Sequence, residues 1–248
     1  MAGKGNLGLE PANVLLLAVD TATEITVVSL MKDEALVAEA TRDGKRHSRV
    51  LLRLVDGVLK DEGLEPRDID VLAVGVGPGS FTGVRVGVTF AKTLAVVLGI
   101  PLVRVSSLAA LAASQPERKD HIVAAVLDAL KGQVYAACYD PGRWFDPVFP
   151  PAAMVPEALA ERLAAIDRPV LMAGSGATRY LQLFKQKLGH ALTVQNAPQS
   201  HWMNPRALGK LGIQAYRIEG PVDPHSLEPD YCRPSDAELA KKARDLRP

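Results

Sequence analysis

The sequence predicts an α/β protein of two lobes, each built from nearly the same order of strands and helices. Three observations lead to this prediction. Short apolar runs typical of buried strands alternate with stretches in which apolar residues recur every three or four positions, as on one face of a helix. The order of these elements restarts after a polar segment at residues 115–120. With 248 residues and 48% hydrophobic composition, the chain is long enough to bury two cores.

The first predicted lobe comprises residues 14–114 and runs in the order β-β-β-α-β-α-β-α. Three β-rich stretches separated by short polar turns predict an antiparallel meander at its start. From His47 the apolar period changes to about 3.6, which predicts a helix. Gly99 is predicted to stop a second helix, and Ser106 or Ser107 to cap a third. The predicted strands of this lobe are 14–19, 25–31, 35–40, 71–76 and 102–105.

The second predicted lobe comprises residues 115–218 and repeats this order with one strand fewer. Residues 140–152 are rich in Pro and Gly, so they are predicted to be mostly loop. Outside the lobes, residues 1–13 are predicted to be a flexible extension, and residues 219–248 an extended tail that ends in a helix. The predicted strands of this lobe are 122–127, 134–139, 170–173 and 192–194, and its predicted helices are 156–166, 176–188 and 205–217.

The composition argues against several classes of function. Lys and Arg number 29 against 28 Asp and Glu, a balance that argues against a protein that grips nucleic acid by itself. No two of the five histidines are three or four residues apart, so a helical pair of metal-binding histidines is missing and we predict no metal site. No apolar run approaches the roughly 20 residues of a membrane-spanning helix. We therefore expect a cytoplasmic protein without a membrane anchor.

The stretch from Val71 to Gly87, VLAVGVGPGSFTGVRVG, combines a strand, a glycine turn and the start of a helix. Ser80 is placed to cap that helix with its hydroxyl. The turn matches neither the Walker A loop nor the GxGxxG dinucleotide loop. Two interpretations stay open: a plain turn, and a turn that holds a phosphate on the N–H groups of the helix start. The signature turn consists of Gly77, Pro78, Gly79, Ser80, Phe81 and Thr82.

Asp20 and Thr21 follow the first predicted strand and are candidates for holding a nucleotide. Asp and Thr at a strand end can bind a phosphate through magnesium. A turn with side-chain to backbone hydrogen bonds explains the same residues equally well. Both interpretations stay open.

Small residues recur every four positions along the second predicted helix, at Gly83, Gly87, Ala91 and Ala95. On a helix these four form one ridge that another backbone could approach closely. The ridge could pack on the chain's own sheet or receive a second protein. The helix is apolar around much of its circumference, which favours a partner.

Four motifs closely resemble the bacterial TsaB (YeaZ) family. The glycine signature GVGPGSFTGVRVG is long and specific, and LLAVDTAT is similar to the family's first strand and turn. RHSRVLLRLVDGVL is similar to its first helix. LDALKGQVYAACYD is similar to a further motif, with Leu130 where Arg is usual and Gln133 where Glu is usual. The resemblance covers residues 14–139, and beyond them extends to GSGA and PDYCR.

This resemblance implies an actin-like (ASKHA) two-lobed fold and a non-catalytic subunit. Such a subunit binds and activates a TsaD-like transferase in the threonylcarbamoylation of adenosine beside the anticodon in tRNA. The implied partners are the TsaD-like catalytic paralogue, a TsaE-like ATPase, tRNA through the complex and, for the chain alone, a second copy. No cofactor of its own is implied, and ATP or ADP at the complex interface stays open.

The resemblance also implies where the partner binds. In the family the first two helices form the dimer surface, and TsaD-like proteins carry a metal-binding histidine pair in the first helix. Here His47 is followed four residues later by Leu51, so the pair is incomplete. The residues expected at the partner interface are His47, Leu51, Gly83, Arg85, Gly87, Ala91 and Ala95.

Three rival functions remain on the sequence alone. A small-molecule kinase of the same fold would use Asp20 on magnesium-ATP, but the first turn lacks glycine and no second DxG turn follows. A peptidase would need a metal or a nucleophile with its base, and the sequence offers neither arrangement. A self-associating scaffold would form a homodimer through the Gly/Ala ridge.

Overall fold

The structure, a computed structural model, describes residues 13–44, 47–195 and 197–233. The predicted N-terminal extension and terminal helix lie outside these residues, except for Asn13. The first half contains β1 (Leu15–Asp20), β2 (Ile25–Lys32), β3 (Ala35–Asp43), α1 (His47–Asp61), β4 (Val71–Gly75), α2 (Phe81–Leu98), β5 (Leu102–Val105) and α3 (Ser107–Ala113). The second half contains β6 (Ile122–Leu130), β7 (Gln133–Tyr139), β8 (Phe149–Met154), α4 (Pro156–Ala164), β9 (Val170–Ala173), α5 (Ser175–Arg179), α6 (Leu181–Leu188), β10 (Leu192–Val194) and α7 (Pro205–Ile218).

The two halves form five-stranded sheets with the same topology. The first sheet has the order β3-β2-β1-β4-β5, and the second, read in the matching direction, has the order β8-β7-β6-β9-β10. In each sheet the first three strands form an antiparallel meander. The last two strands join it in parallel. The predicted α/β architecture with duplicated units is therefore confirmed.

One strand of the second sheet was missed by the sequence prediction. Residues 140–152 were expected to be mostly loop, but β8 covers Phe149–Met154 and pairs with β7. Its Pro150 and Pro151 lack the N–H group that a central strand needs for pairing on both sides. The strand is possible because it lies at the edge of the sheet, where proline is tolerated. With β8 included, the second half has the same three-strand meander as the first.

Several local signals act as predicted. Ser80 and Ser106 cap α2 and α3, each with a side-chain oxygen that accepts a backbone N–H. Gly99 ends α2 in the left-handed conformation, with a φ of 66°.

The helix predicted over 176–188 is instead two helices, because Tyr180 between them has a φ of −106°.

The two halves exchange a helix. Helix α3 belongs to the first half but packs on β6 and β7, whereas α7 belongs to the second half and packs on the first sheet. Glycines of α7 permit this close packing: a Cβ on Gly209 would lie 2.5 Å from Met31 Cγ. A shared apolar core therefore joins both sheets through α3 and α7. The predicted lobe boundaries at 114 and 218 stay a prediction. Helices α3 and α7, which end at or near them, each pack on the sheet of the other half.

Helices α1 and α2 cover the outer face of the first sheet. By length and composition, α2 is also apolar enough to cross a membrane, with a mean hydropathy of 1.5 over 18 residues. It carries Arg85 and Lys92, and one of its sides packs on the sheet. We therefore interpret α2 as a packed helix of this fold that leaves another side open.

Candidate functional site

The signature turn joins β4 to α2 and lies directly against the connection that follows β1. The backbone N–H of Ser80 donates to Ala22 O at 2.7 Å. A Cβ on Gly79 would lie 2.2 Å from the same carbonyl oxygen, which explains the glycine. The N–H of Gly83 is satisfied by the Ser80 hydroxyl at 3.3 Å. Groups of the chain itself thus occupy donors that a bound phosphate would need, and the plain-turn interpretation fits better.

The Gly/Ala ridge of α2 faces the chain's own first sheet. A Cβ on Gly83 would lie 2.1 Å from the backbone oxygen of Thr21, and one on Gly87 would lie 2.5 Å from the Thr21 hydroxyl oxygen. Ala91 and Ala95 are buried in the same core. The expectation that these four residues receive a partner is therefore wrong. The ridge is small because β1 and its following turn pass close to it.

The opposite ridge of α2 is exposed. It is offset by two residues from the buried ridge and consists of Phe81, Arg85, Thr89, Thr93 and Val97. Val97 is 74% exposed and the neighbouring Val96 is 49% exposed, which is unusual for side chains of this type. The guanidinium carbon of Arg85 lies 4.9 Å from the centre of the Phe81 ring, a cation–π contact. Of the interface residues expected on α2, Arg85 is accessible.

Helix α1 lies beside α2 and also exposes an apolar residue. His47 is the first residue of α1, and its side chain lies outside the described part of the structure. Leu51 was expected at the interface but is buried in the core, because it lies on the stripe that faces the sheet. Leu52, one position later, is 60% exposed. The exposed residues Leu52, Val96 and Val97 are not among the residues predicted for the interface, because the sequence does not show which apolar residues face the sheet.

Asp20, the predicted nucleotide residue at the end of β1, is fully buried. One carboxylate oxygen accepts the Ser107 hydroxyl at 2.5 Å, and the other accepts the N–H of Ala22 at 2.7 Å. Burial raises the pKa of Asp20 to about 6, although both hydrogen bonds counteract part of this rise. The Ser107 oxygen also accepts the N–H of Gly77 at 3.1 Å. Asp20 therefore links the end of β1 to the signature turn and to α3.

Thr21 is also fully buried and is bonded within the chain. Its hydroxyl donates to the Gly83 carbonyl at 2.6 Å, which ties β1 to the first turn of α2. Neither Asp20 nor Thr21 presents an accessible atom to a ligand. The expectation that this pair holds a nucleotide is corrected accordingly, because both side chains serve the packing of α2 and α3.

The described residues offer little for the rival catalytic functions. Over residues 13–44, 47–195 and 197–233 no group of three or more His, Cys, Asp or Glu side chains could hold a metal ion. Burial raises the pKa of the Cys138 thiol to about 12 and that of Cys232 to about 11, so both are protonated at neutral pH. These thiols are therefore poor nucleophiles.

Comparisons with known proteins agree with this architecture. The family model described as "TsaD: tRNA N6-adenosine threonylcarbamoyltransferase" matches residues 41–241. The tRNA threonylcarbamoyladenosine biosynthesis protein TsaB of Bacillus subtilis is 36% identical over 225 residues, which cover 90% of this chain and 96% of that protein. TsaB of Escherichia coli is 34% identical over 175 residues, covering 69% and 75%.

Among solved structures, YeaZ from Pseudomonas aeruginosa superimposes with a TM-score of 0.75. It is 29% identical, and the match covers 88% of this chain and 99% of that one. A second structure with the same TM-score and identity is described as an uncharacterized protein with similarity to peptidase YEAZ. Together with the duplicated sheets, these likenesses confirm the actin-like two-lobed fold.

Proposed function

Since the chain belongs to the TsaB (YeaZ) family, we propose that it is the non-catalytic subunit that binds and activates a TsaD-like transferase. The reaction of that complex is the threonylcarbamoylation of adenosine beside the anticodon in tRNA. The exposed ridge of α2 carries this proposal, because it is the part of a signature helix that is free to meet another protein. Phe81 and Arg85 on this ridge belong to the glycine signature itself.

The outer side of α1 and α2 exposes residue types that are common in protein interfaces. Apolar side chains at Val96, Val97 and Leu52 stand in solvent on two helices that contact each other. Exposed apolar side chains on neighbouring helices, which no other described residue covers, are a common feature of docking sites. Phe and Arg, which form the cation–π pair at the start of α2, are enriched at interfaces. We therefore place the docking surface on the outer side of α1 and α2.

An accessory role, without catalysis by this chain alone, is supported by the site geometry. Asp20 and Thr21 are buried and bonded within the chain, and both cysteine thiols are protonated at neutral pH. We propose that ATP or ADP, where the complex uses it, binds at the interface with the partner. A TsaE-like ATPase, indirect contact with tRNA, a homodimer of the free chain and a cytoplasmic location complete the proposal.

The docking surface is tested with the substitution Val97→Asp. A carboxylate in the middle of an apolar contact would be buried without a partner, so affinity for a purified TsaD-like protein should fall about tenfold or more. Binding is measured by isothermal titration calorimetry. Since Val97 is exposed, the thermal midpoint of the free chain should change by about 2 °C or less.

The matched control is Ile218→Asp at the end of α7. Ile218 is 69% exposed, and its replacement by Asp introduces the same negative charge on a different helix. This variant should bind the partner as the unsubstituted chain does. Unchanged binding by Val97→Asp, or equal losses in both variants, would contradict the proposed surface. Light scattering of the free Val97→Asp chain also shows whether a homodimer uses the same ridge.

A further inference from the structure

A C-terminal strap, residues 220–233, follows α7 and crosses from the first sheet to the second. The N–H of Val222 donates to Leu102 O at 2.8 Å, beside the edge strand β5. The N–H of Asp230 donates to Val76 O at 2.7 Å, just past the end of β4. Arg233 then reaches the Gln133 side chain at 3.1 Å, at the start of β7. The strap is therefore held at three points along its path.

The strap also holds α2 along one flank. The Lys92 ammonium in the middle of the helix donates to the carbonyls of His225 at 3.2 Å and Leu227 at 2.9 Å. The Leu227 side chain is buried in the core that α2 shares with the first sheet. At the start of the helix, the rings of Phe81 and Tyr231 stack with their centres 5.0 Å apart. These contacts restrain α2 from Phe81 to Lys92.

An ion pair anchors the strap beside the signature turn. The Arg104 guanidinium on β5 donates to both carboxylate oxygens of Asp230, at 2.7 and 2.6 Å. Both side chains are about 40% exposed, so the pair is accessible to substitution without opening the core. A Cβ on Gly77 would lie 3.4 Å from the Asp230 carbonyl, which places this anchor at the turn that leads into α2.

We propose that the strap is a positioning element for α2, so that the seating of the strap and the binding of the partner are coupled. This inference rests on the proposed function, because it assumes that α2 carries the docking surface. One side of α2 packs on the sheet and a second is held by the strap, while the exposed ridge faces solvent. Phe81 belongs to both the strap contact and the exposed ridge. Coupling is reciprocal: if a seated strap raises partner affinity, the bound partner stabilises the strap by the same factor.

The experiment uses the full chain, a purified TsaD-like partner and a charge exchange. Arg104→Glu places a second carboxylate beside Asp230 and should release the anchor, lowering partner affinity about fivefold or more. The double variant Arg104→Glu with Asp230→Arg restores an ion pair of opposite sense and should recover most of that affinity. If Arg104 had a merely structural role, Arg104→Glu would lower the thermal midpoint, and the double variant would not recover partner affinity.

A measurement on the unsubstituted chain makes the test independent of any variant's folding. Hydrogen exchange of the Asp230 N–H, which bonds to Val76 O, should slow when the partner binds. The inference is overturned if that exchange rate is the same with and without partner, if Arg104→Glu binds normally, or if the double variant binds as weakly as the single one.

The outcomes also separate this inference from the proposed function. If Val97→Asp weakens binding and Arg104→Glu does not, α2 is the docking helix and the strap has no part in positioning it. If Val97→Asp binds normally, the docking surface itself is misplaced.

Discussion

Replacing Gly83 with alanine is expected to destabilise the chain by about 2 kcal/mol or more. The new Cβ would lie 2.1 Å from the backbone oxygen of Thr21, a distance that real Cβ atoms do not adopt. The Thr21 hydroxyl donates to the Gly83 carbonyl, so a shift of α2 would also break that buried hydrogen bond. Helix propensity alone favours alanine over glycine by about 1 kcal/mol. A net decrease in the free energy of unfolding would therefore show that the steric contact outweighs the gain in helix propensity.

The control is Gly57→Ala in the interior of α1. Gly57 is also a helical glycine, but a Cβ there meets nothing within 4 Å. This substitution should stabilise the chain by about 0.5–1 kcal/mol through helix propensity. Both variants are measured by urea unfolding at the same pH. Equal stabilisation by Gly83→Ala and Gly57→Ala would show that α2 does not approach Thr21 as closely as the structure has it.

This expectation also bears on how docking is tested. Large side chains at Gly87 or Ala91, on the buried ridge, would prevent α2 from packing on its own sheet. Loss of partner binding in such variants would report misfolding. Substitutions on the exposed ridge avoid this ambiguity, because Val97 and Arg85 contact solvent.

The second expected result is that Asp20→Asn removes a pH dependence of stability. The pKa of Asp20 is raised from 3.8 to about 6 in the folded chain by burial. Between these values the folded state binds more protons than the unfolded state, so the free energy of unfolding falls as the pH rises. The total loss is about 3 kcal/mol, and it is complete about one unit above the folded pKa of Asp20, at a pH of about 7. Asparagine does not titrate, so this loss should be absent in the variant.

The measurement is the free energy of unfolding at several pH values from 4 to 7, in both proteins. The difference between the two curves isolates Asp20 from the other carboxyl groups. Ser107→Ala is the matched variant, because the Ser107 hydroxyl lowers the pKa of Asp20 by donating to its carboxylate. In that variant the pKa of Asp20 should rise further, so the loss of stability should be larger and should extend to higher pH. Parallel curves for Asp20→Asn and the unsubstituted chain would contradict a buried, titrating Asp20.

Signals that act over a few residues could be predicted from the sequence. The Ser80 cap, the left-handed Gly99 and the Gly77–Pro78–Gly79 turn depend on hydrogen bonds and dihedral angles of neighbouring residues. The buried strands also follow from their own apolar residues. The edge strand β8 could not be predicted in this way. Its two prolines are typical of loops, and its position at the edge of the sheet, which tolerates them, depends on the whole sheet.

The ridge that the sequence analysis assigned to a partner lies on the side of α2 that packs on the chain's own sheet. The spacing of Gly83, Gly87, Ala91 and Ala95 correctly indicates a ridge of close approach. It does not indicate what approaches. The group that approaches the ridge is Thr21, which lies 62 residues before Gly83 in the chain and donates its hydroxyl to the Gly83 carbonyl. Because α2 is apolar on several sides, hydrophobic period alone could not distinguish the packed side from the exposed one.

The sequence by itself determined the class of fold, the duplicated order of elements and the resemblance to the TsaB (YeaZ) family. These depend on local patterns and on a long, specific signature. The tertiary structure decided that the Gly/Ala ridge is buried, that Asp20 and Thr21 are internal, and that the strap holds α2. Each of these outcomes depends on contacts between residues far apart in the chain. A local pattern can mark one side of such a contact, as the Gly/Ala spacing does, but it does not identify the other side, because that partner lies elsewhere in the chain.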